Sequence, residues 1–157
     1  MDQDYLEAIK LIERLHRQFL EVVKIELDRL GIADINNVQS LILWNIGKEE
    51  LTVGDLTHRG YYLGSNVSYN VKKMVENGYL TQERSPHDRR SVRLKQSQKG
   101  LDLCDQIAAM FDRHDELLAA RHMSSERIAE ANATLRDLER LWTEALHFAA
   151  RRPVKAA

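Results

Sequence analysis

The sequence predicts a mainly α-helical fold carrying one small β-hairpin, and three observations carry that expectation. Its 157 residues include only two prolines, Pro86 and Pro153, and seven glycines, so long stretches run without a breaker. Apolar residues recur at steps of three and four over most of the chain, which is the period of a helix. The exception lies around residues 79–96, where the turn-forming SPHDRR separates two short β-prone segments. A hydrophobic content of 43% and a charged content of 30% suit one folded domain with helical extensions.

Residues 4–30 predict one long helix, about 40 Å at 1.5 Å per residue. Tyr5, Ile9, Ile12, Leu15, Phe19, Val23, Leu27 and Leu30 follow helical spacing, while Leu6, Leu11, Leu20 and Ile25 make a second side apolar. Such a helix needs more partners than one small domain supplies, and Gly31 is its natural stop. Asn36 or Asn37 can cap a second helix to about Ile46, with Val38, Leu41, Ile42 and Trp44 as its apolar members. Thr52 and Asp55 have capping-box spacing and open a short helix that ends near Gly60. After YYLG, residues 65–77 resume a helix that Gly78 terminates, giving two short helices joined by a tight turn.

Tyr79, Leu80 and Thr81 then suit one strand, and Val92 and Leu94 its partner. From Ser97 a helix is expected to about Arg121, with Leu101, Cys104, Ala108, Phe111 and Leu118 on one face. In the last helix Ile128, Ala131, Leu135, Leu138, Trp142, Ala145 and Ala149 form a heptad seam, which calls for a partner helix. A helix-turn-helix followed at once by a hairpin is the winged helix-turn-helix arrangement. The expected organisation is a winged helix-turn-helix domain over 36–99, a helical dimerisation region from 1–35 and 100–150, and a disordered tail at 151–157.

Charge points to the partner of this domain. From His58 to Lys99 nine basic residues face three acidic ones, about +6, although the whole chain carries a formal net charge of −1. A basic centre between acidic ends attracts a polyanion in one orientation. On the helix over 65–77, Val67, Val71, Met74 and Val75 cluster on one side. Ser65, Asn66, Tyr69, Lys72 and Lys73 lie opposite, with Ser68 and Asn70 at the borders. Short hydrogen-bonding side chains can read base edges in a major groove, while Lys and Tyr reach phosphates. In the hairpin, Asp88 and Arg90 can pair to fix the tip, so that Arg89 or Arg90 projects toward a minor groove. Arg84, Arg93 and Lys95 along the strands would lie against phosphates.

These residues also carry a resemblance. Residues 51–100, and the signature DRRSVRLKQSQKG above all, resemble the winged-helix core of the MarR family of bacterial transcriptional regulators. Asp88 and Arg90 match the family's wing, Ser97 and Gly100 open its next helix, and the flanking helices follow the family's order. The resemblance implies a homodimer built from the terminal helices, here through Ile9, Ile12, Leu135, Leu138 and Trp142. It also implies recognition helices in successive major grooves of double-stranded DNA, half-sites about 34 Å apart on a pseudo-palindromic operator, and repression relieved by a small, often aromatic, compound. A ligand pocket in the family's position would involve His16, Phe19 and Trp44. One departure is that GSNVSYN lacks the Arg often present in the family's recognition helix, which shifts base readout onto Asn66, Ser68 and Asn70.

Other chemistry has little support in the residues. The six histidines form no i, i+4 pair and have no cysteine near them in sequence, so no metal or other cofactor is expected. Cys104, the one cysteine, lies on an apolar stripe and reads as core rather than as a redox sensor. No phosphate-cradling glycine loop or nucleophile elbow suggests an enzyme. The acidic N-terminus is no secretory signal and no apolar run is long enough to span a bilayer, so a cytoplasmic protein is expected. The competing reading is a winged-helix interaction module whose basic face docks an acidic protein.

Overall fold

The computed structural model describes residues 2–58, 64–84 and 92–150. Within them the elements run α1 (Gln3–Arg29), α2 (Asn37–Ile46), β1 (Leu51–Thr52), α3 (Val53–His58), α4 (Gly64–Glu76), β2 (Leu80–Arg84), β3 (Val92–Gln96), α5 (Gln98–Ala120) and α6 (Ser125–Ala150). The chain forms two compact units, one reaching Met110 and the other starting at Phe111.

Local chemistry explains the helix starts. The Asp2 side chain caps α1 by accepting from Asp4 N at 2.9 Å. Asn36 caps α2 in a reciprocal box: its Oδ1 accepts from Gln39 N at 2.8 Å, and Asn36 N donates back to Gln39 Oε1 at 3.1 Å. Thr52 and Asp55 form the second box. Asp55 N donates to Thr52 Oγ1 at 3.0 Å, and Thr52 N donates to Asp55 Oδ2 at 2.8 Å. Aspartate therefore serves where glutamate or glutamine is usual.

The core of the first unit gathers Val23 and Leu27 of α1, Ile42, Leu43 and Ile46 of α2, Val67, Val71 and Met74 of α4, and Leu80 and Leu94 of the sheet. Burial of these side chains supplies the main driving force for this unit, at about 1.5–3 kcal/mol for each large one. The α5 face that joins them differs from the expected one. Leu103, Ile107 and Met110 are buried, whereas Leu101, Cys104, Ala108, Phe111 and Leu118 are only half-buried. Both stripes have helical spacing, and the choice between them is made by Gly100. A Cβ there would fall 2.4 Å from the Tyr79 carbonyl oxygen, so glycine lets α5 approach the chain leaving α4 with that side inward.

The sheet is also larger than a hairpin. β2 and β3 pair antiparallel as expected, with Gln82 opposite Leu94. β1 adds a third strand on the other edge of β3, with Leu51 opposite Leu94 and Thr52 opposite Arg93, giving the order β1-β3-β2. Two residues cannot display a period-two pattern, so β1 is invisible to periodicity. At the base of the sheet the buried Gln96 donates its Nε2 to Leu43 O of α2 at 2.7 Å, satisfying a carbonyl in the last turn of that helix. The Gln96 Oε1 accepts the Cys104 thiol at 3.4 Å.

In the second unit α6 is exposed over most of its length. Leu135 (47%), Trp142 (36%), Leu146 (71%) and Phe148 (74%) present apolar surface, and Leu138 is half-buried. Among the described residues no helix is long and apolar enough to cross a membrane.

Candidate nucleic-acid interface

α4 divides cleanly into two faces. Val67, Val71 and Met74 are at most 4% exposed and fix the helix to the core. Asn66, Ser68, Tyr69 and Lys72 are exposed on the other side, Lys73 is half-buried, and Tyr69 has 61% of its surface open. A helix held by its apolar stripe and presenting amide, hydroxyl, phenol and ammonium groups has the composition and rigidity that major-groove readout requires.

Asn70 stands apart from the rest of that set. Its Nδ2 donates to Asn66 O at 2.8 Å, and its Oδ1 accepts from Gln39 Nε2 of α2 at 3.1 Å. Both ends of the amide are thus engaged within the protein, and the group locks α4 to the start of α2. Gln39 was not anticipated, although the Asn36-x-x-Gln39 spacing of a capping box is visible in the sequence.

On the sheet, Arg84, Arg93 and Lys95 are exposed, and the last two share Glu50. Arg93 lies 3.5 Å and Lys95 3.9 Å from its carboxylate. On α4, Lys73 donates to Glu76 at 2.9 Å, and Lys72 is 3.9 Å from the same carboxylate. The hydrogen bond between Lys73 and Glu76 raises the ammonium pKa and lowers that of the carboxyl. The Ser65 side chain, Asp88, Arg89 and Arg90 lie outside the described residues, and the expected Asp88–Arg90 pairing lies there with them.

A second cluster, unforeseen, lies just past the C-terminal end of α4. Asp34 accepts from the Tyr79 hydroxyl at 2.6 Å and from Lys99 at 2.5 Å, and its backbone carbonyl accepts from Asn77 Nδ2 at 2.6 Å. These bonds lower the Asp34 pKa, Lys99 first and Tyr79 second. Burial, followed by the bond to Asp34, raises that of Tyr79. A groove of about 820 Å³ runs beside the cluster, lined by Ile32, Asp34, Tyr79, Lys99 and Leu103 among others. His16, Phe19 and Trp44 do not line it; His16 is exposed, and Phe19 and Trp44 are half-buried. Among the described residues no group of three or more His, Cys, Asp or Glu side chains could hold a metal.

The fold, α3 and α4 followed by an antiparallel sheet, is that of a winged-helix protein. The model of the MarR family's sequences matches residues 33–91. The exopolysaccharide II synthesis transcriptional activator ExpG of Rhizobium meliloti (strain 1021) is 34% identical over 144 residues, spanning 92% of this chain and 74% of that protein. The chain belongs to the MarR family of transcriptional regulators. Solved structures share the fold. Staphylococcus aureus MarR in complex with salicylate and kanamycin superposes with a TM-score of 0.74 at 20% identity, over 91% of this chain and 95% of that one. Streptococcus pneumoniae FabT in complex with DNA gives 0.70 at 21% identity, over 90% of this chain and 99% of that one.

Proposed function

We propose that the protein is a cytoplasmic homodimer that binds a pseudo-palindromic operator, each protomer placing α4 in a major groove and its wing beside it. The observation that carries this reading is the two-faced α4, buried to 4% or less at Val67, Val71 and Met74 and open at Asn66, Ser68, Tyr69 and Lys72. Asn66 and Ser68 read bases. Lys72, Lys73, Arg84, Arg93 and Lys95 hold phosphates, while Arg89 or Arg90 of the wing reaches a minor groove. Dimerisation uses the two terminal helical regions. In its own unit each displays apolar surface: Leu15 at 56% and Ile25 at 66% on α1, and Leu135, Leu146 and Phe148 on α6. Apolar surface of this extent along a helix marks an interaction face.

Under this reading a small aromatic compound lowers DNA affinity and relieves repression. A second reading, activation, is favoured by the 34%-identical ExpG, a transcriptional activator. An operator overlapping the promoter yields repression, and one upstream of it yields activation.

The test is titration of the protein with a fragment of its own upstream DNA, against salt and unrelated competitor. Specific binding is expected to fall steeply with salt and to exceed non-specific binding by about 10³-fold or more. Binding that any duplex removes equally would refute the sequence-specific reading. A promoter fusion carrying the same fragment then assigns the sign of control.

A further inference from the structure

We propose that Glu50 and Glu76 are specificity-determining counter-charges that hold the DNA-facing cations in reserve and suppress binding to unrelated DNA. The inference rests on the DNA-binding role of this face. Four of its cations are arranged in pairs around two carboxylates: Lys72 and Lys73 around Glu76, and Arg93 and Lys95 around Glu50.

Neither glutamate belongs to the core. Glu76 is the last residue of α4, and a negative charge there opposes the helix dipole, which favours cations at that end. Its placement makes sense through the two lysines one turn back. Glu50 immediately precedes β1. The register of Leu51 with Leu94 and Thr52 with Arg93 sets Glu50 across from Lys95 and diagonal to Arg93. Because Leu51 points into the core, Glu50 shares the outer face with both cations, and Glu83, opposite Arg93 on β2, adds a third carboxylate to that strip. The two-residue strand therefore delivers a carboxylate to the basic surface.

The pairs are open to solvent, with 44–48% of each glutamate side chain exposed, so they are weak and exchangeable. A phosphate that arrives in the correct register can displace the glutamate, because base contacts made at the same time repay the exchange. On unrelated DNA no such contacts form, and every phosphate bond competes against an internal carboxylate. Specificity is a difference of affinities, and lowering the non-specific term raises it.

The experiment compares full-length wild type with Glu50→Gln, Glu76→Gln and the double variant, and uses Glu130→Gln on α6 as a control for net charge. Each is titrated with a random-sequence duplex and with the selected operator at several salt concentrations. Expected for each interface variant are random-duplex binding tightened by about three- to tenfold at low salt and a salt dependence steeper by about one unit in log–log slope, with a smaller gain on the operator. The specificity ratio then falls, while Glu130→Gln behaves as wild type. Interface variants that match wild type on both duplexes overturn the proposal and leave the DNA reading intact. A control that tightens equally overturns it too, by reducing the effect to net charge. If no protein in the series binds any duplex, the DNA reading fails and the proposal falls with it.

Discussion

Lys99 Nζ lies 2.5 Å from Asp34 Oδ2, tying the first turn of α5 to the loop that follows α1. The same ammonium donates to Asn77 O at 2.9 Å and sits 4.2 Å from the centre of the Tyr79 ring. The segment that follows α4, the α1–α2 loop and the start of α5 therefore meet at Asp34.

Removal of that carboxylate should be measurable. Tyr79 is 2% exposed, so Asp34→Ala leaves its hydroxyl without its acceptor, and the expected loss is about 1–2 kcal/mol in urea unfolding at neutral pH. Asp34→Asn keeps an acceptor and should cost less. The pH dependence follows from the lowered Asp34 pKa. Its contribution is complete above the ordinary carboxyl value of 3.8 and disappears as pH falls through the depressed folded value. The gap between wild type and Asp34→Ala should be flat from about pH 5 to 8 and close only below about pH 4. A gap that grows on acidification would contradict the assignment.

Asn66 and Asn70 should separate by phenotype despite lying one turn apart. Asn66→Ala removes an exposed amide, and about 1–3 kcal/mol of discrimination at one base position is expected to go with it at unchanged fold stability. Asn70→Ala breaks the link to Gln39, so unfolding stability should fall by about 1 kcal/mol and affinity for all sequences should drop together. Operator-variant binding and denaturation on the same two proteins decide the matter.

Charge on the last helix should test the dimer. Leu138→Glu or Trp142→Glu is expected to shift sedimentation toward the monomer and to weaken operator binding, because the two DNA-binding domains are then no longer held together. A dimer that persists in both variants would remove α6 from the interface.

Cys104 should react slowly. Burial raises its thiol pKa, and its hydrogen bond to Gln96 offsets only part of that effect. Disulfide reagents at neutral pH are expected to modify it far more slowly in the folded protein than in urea, and Cys104→Ser should bind DNA as wild type does. Rapid modification of the native protein would reopen a redox role.

The sequence displayed what is local. Both helix boundaries near α2 and the Thr52–Asp55 box depend on residues three apart, and α4 shows its two faces within thirteen residues. Contacts between distant segments were not legible. Asn70 looks like a base reader until Gln39, thirty-one positions earlier, takes its oxygen. Asp34 looks like loop polarity until Tyr79 and Lys99 reach it from 45 and 65 residues away. On α5 two apolar stripes compete in the sequence, and only the approach of Gly100 to Tyr79 selects the one that turns inward.

The buried amide of Gln96 has a consequence for how such a protein diversifies. It pins the inner end of β3 to α2 through Leu43 and meets α5 through Cys104, so strand register is set at the base of the sheet. Exposed positions of β2 and β3, Arg84 and Arg93 among them, can then vary without re-aligning the strands that carry them. New surface chemistry becomes accessible by rewriting exposed side chains on an unchanged frame.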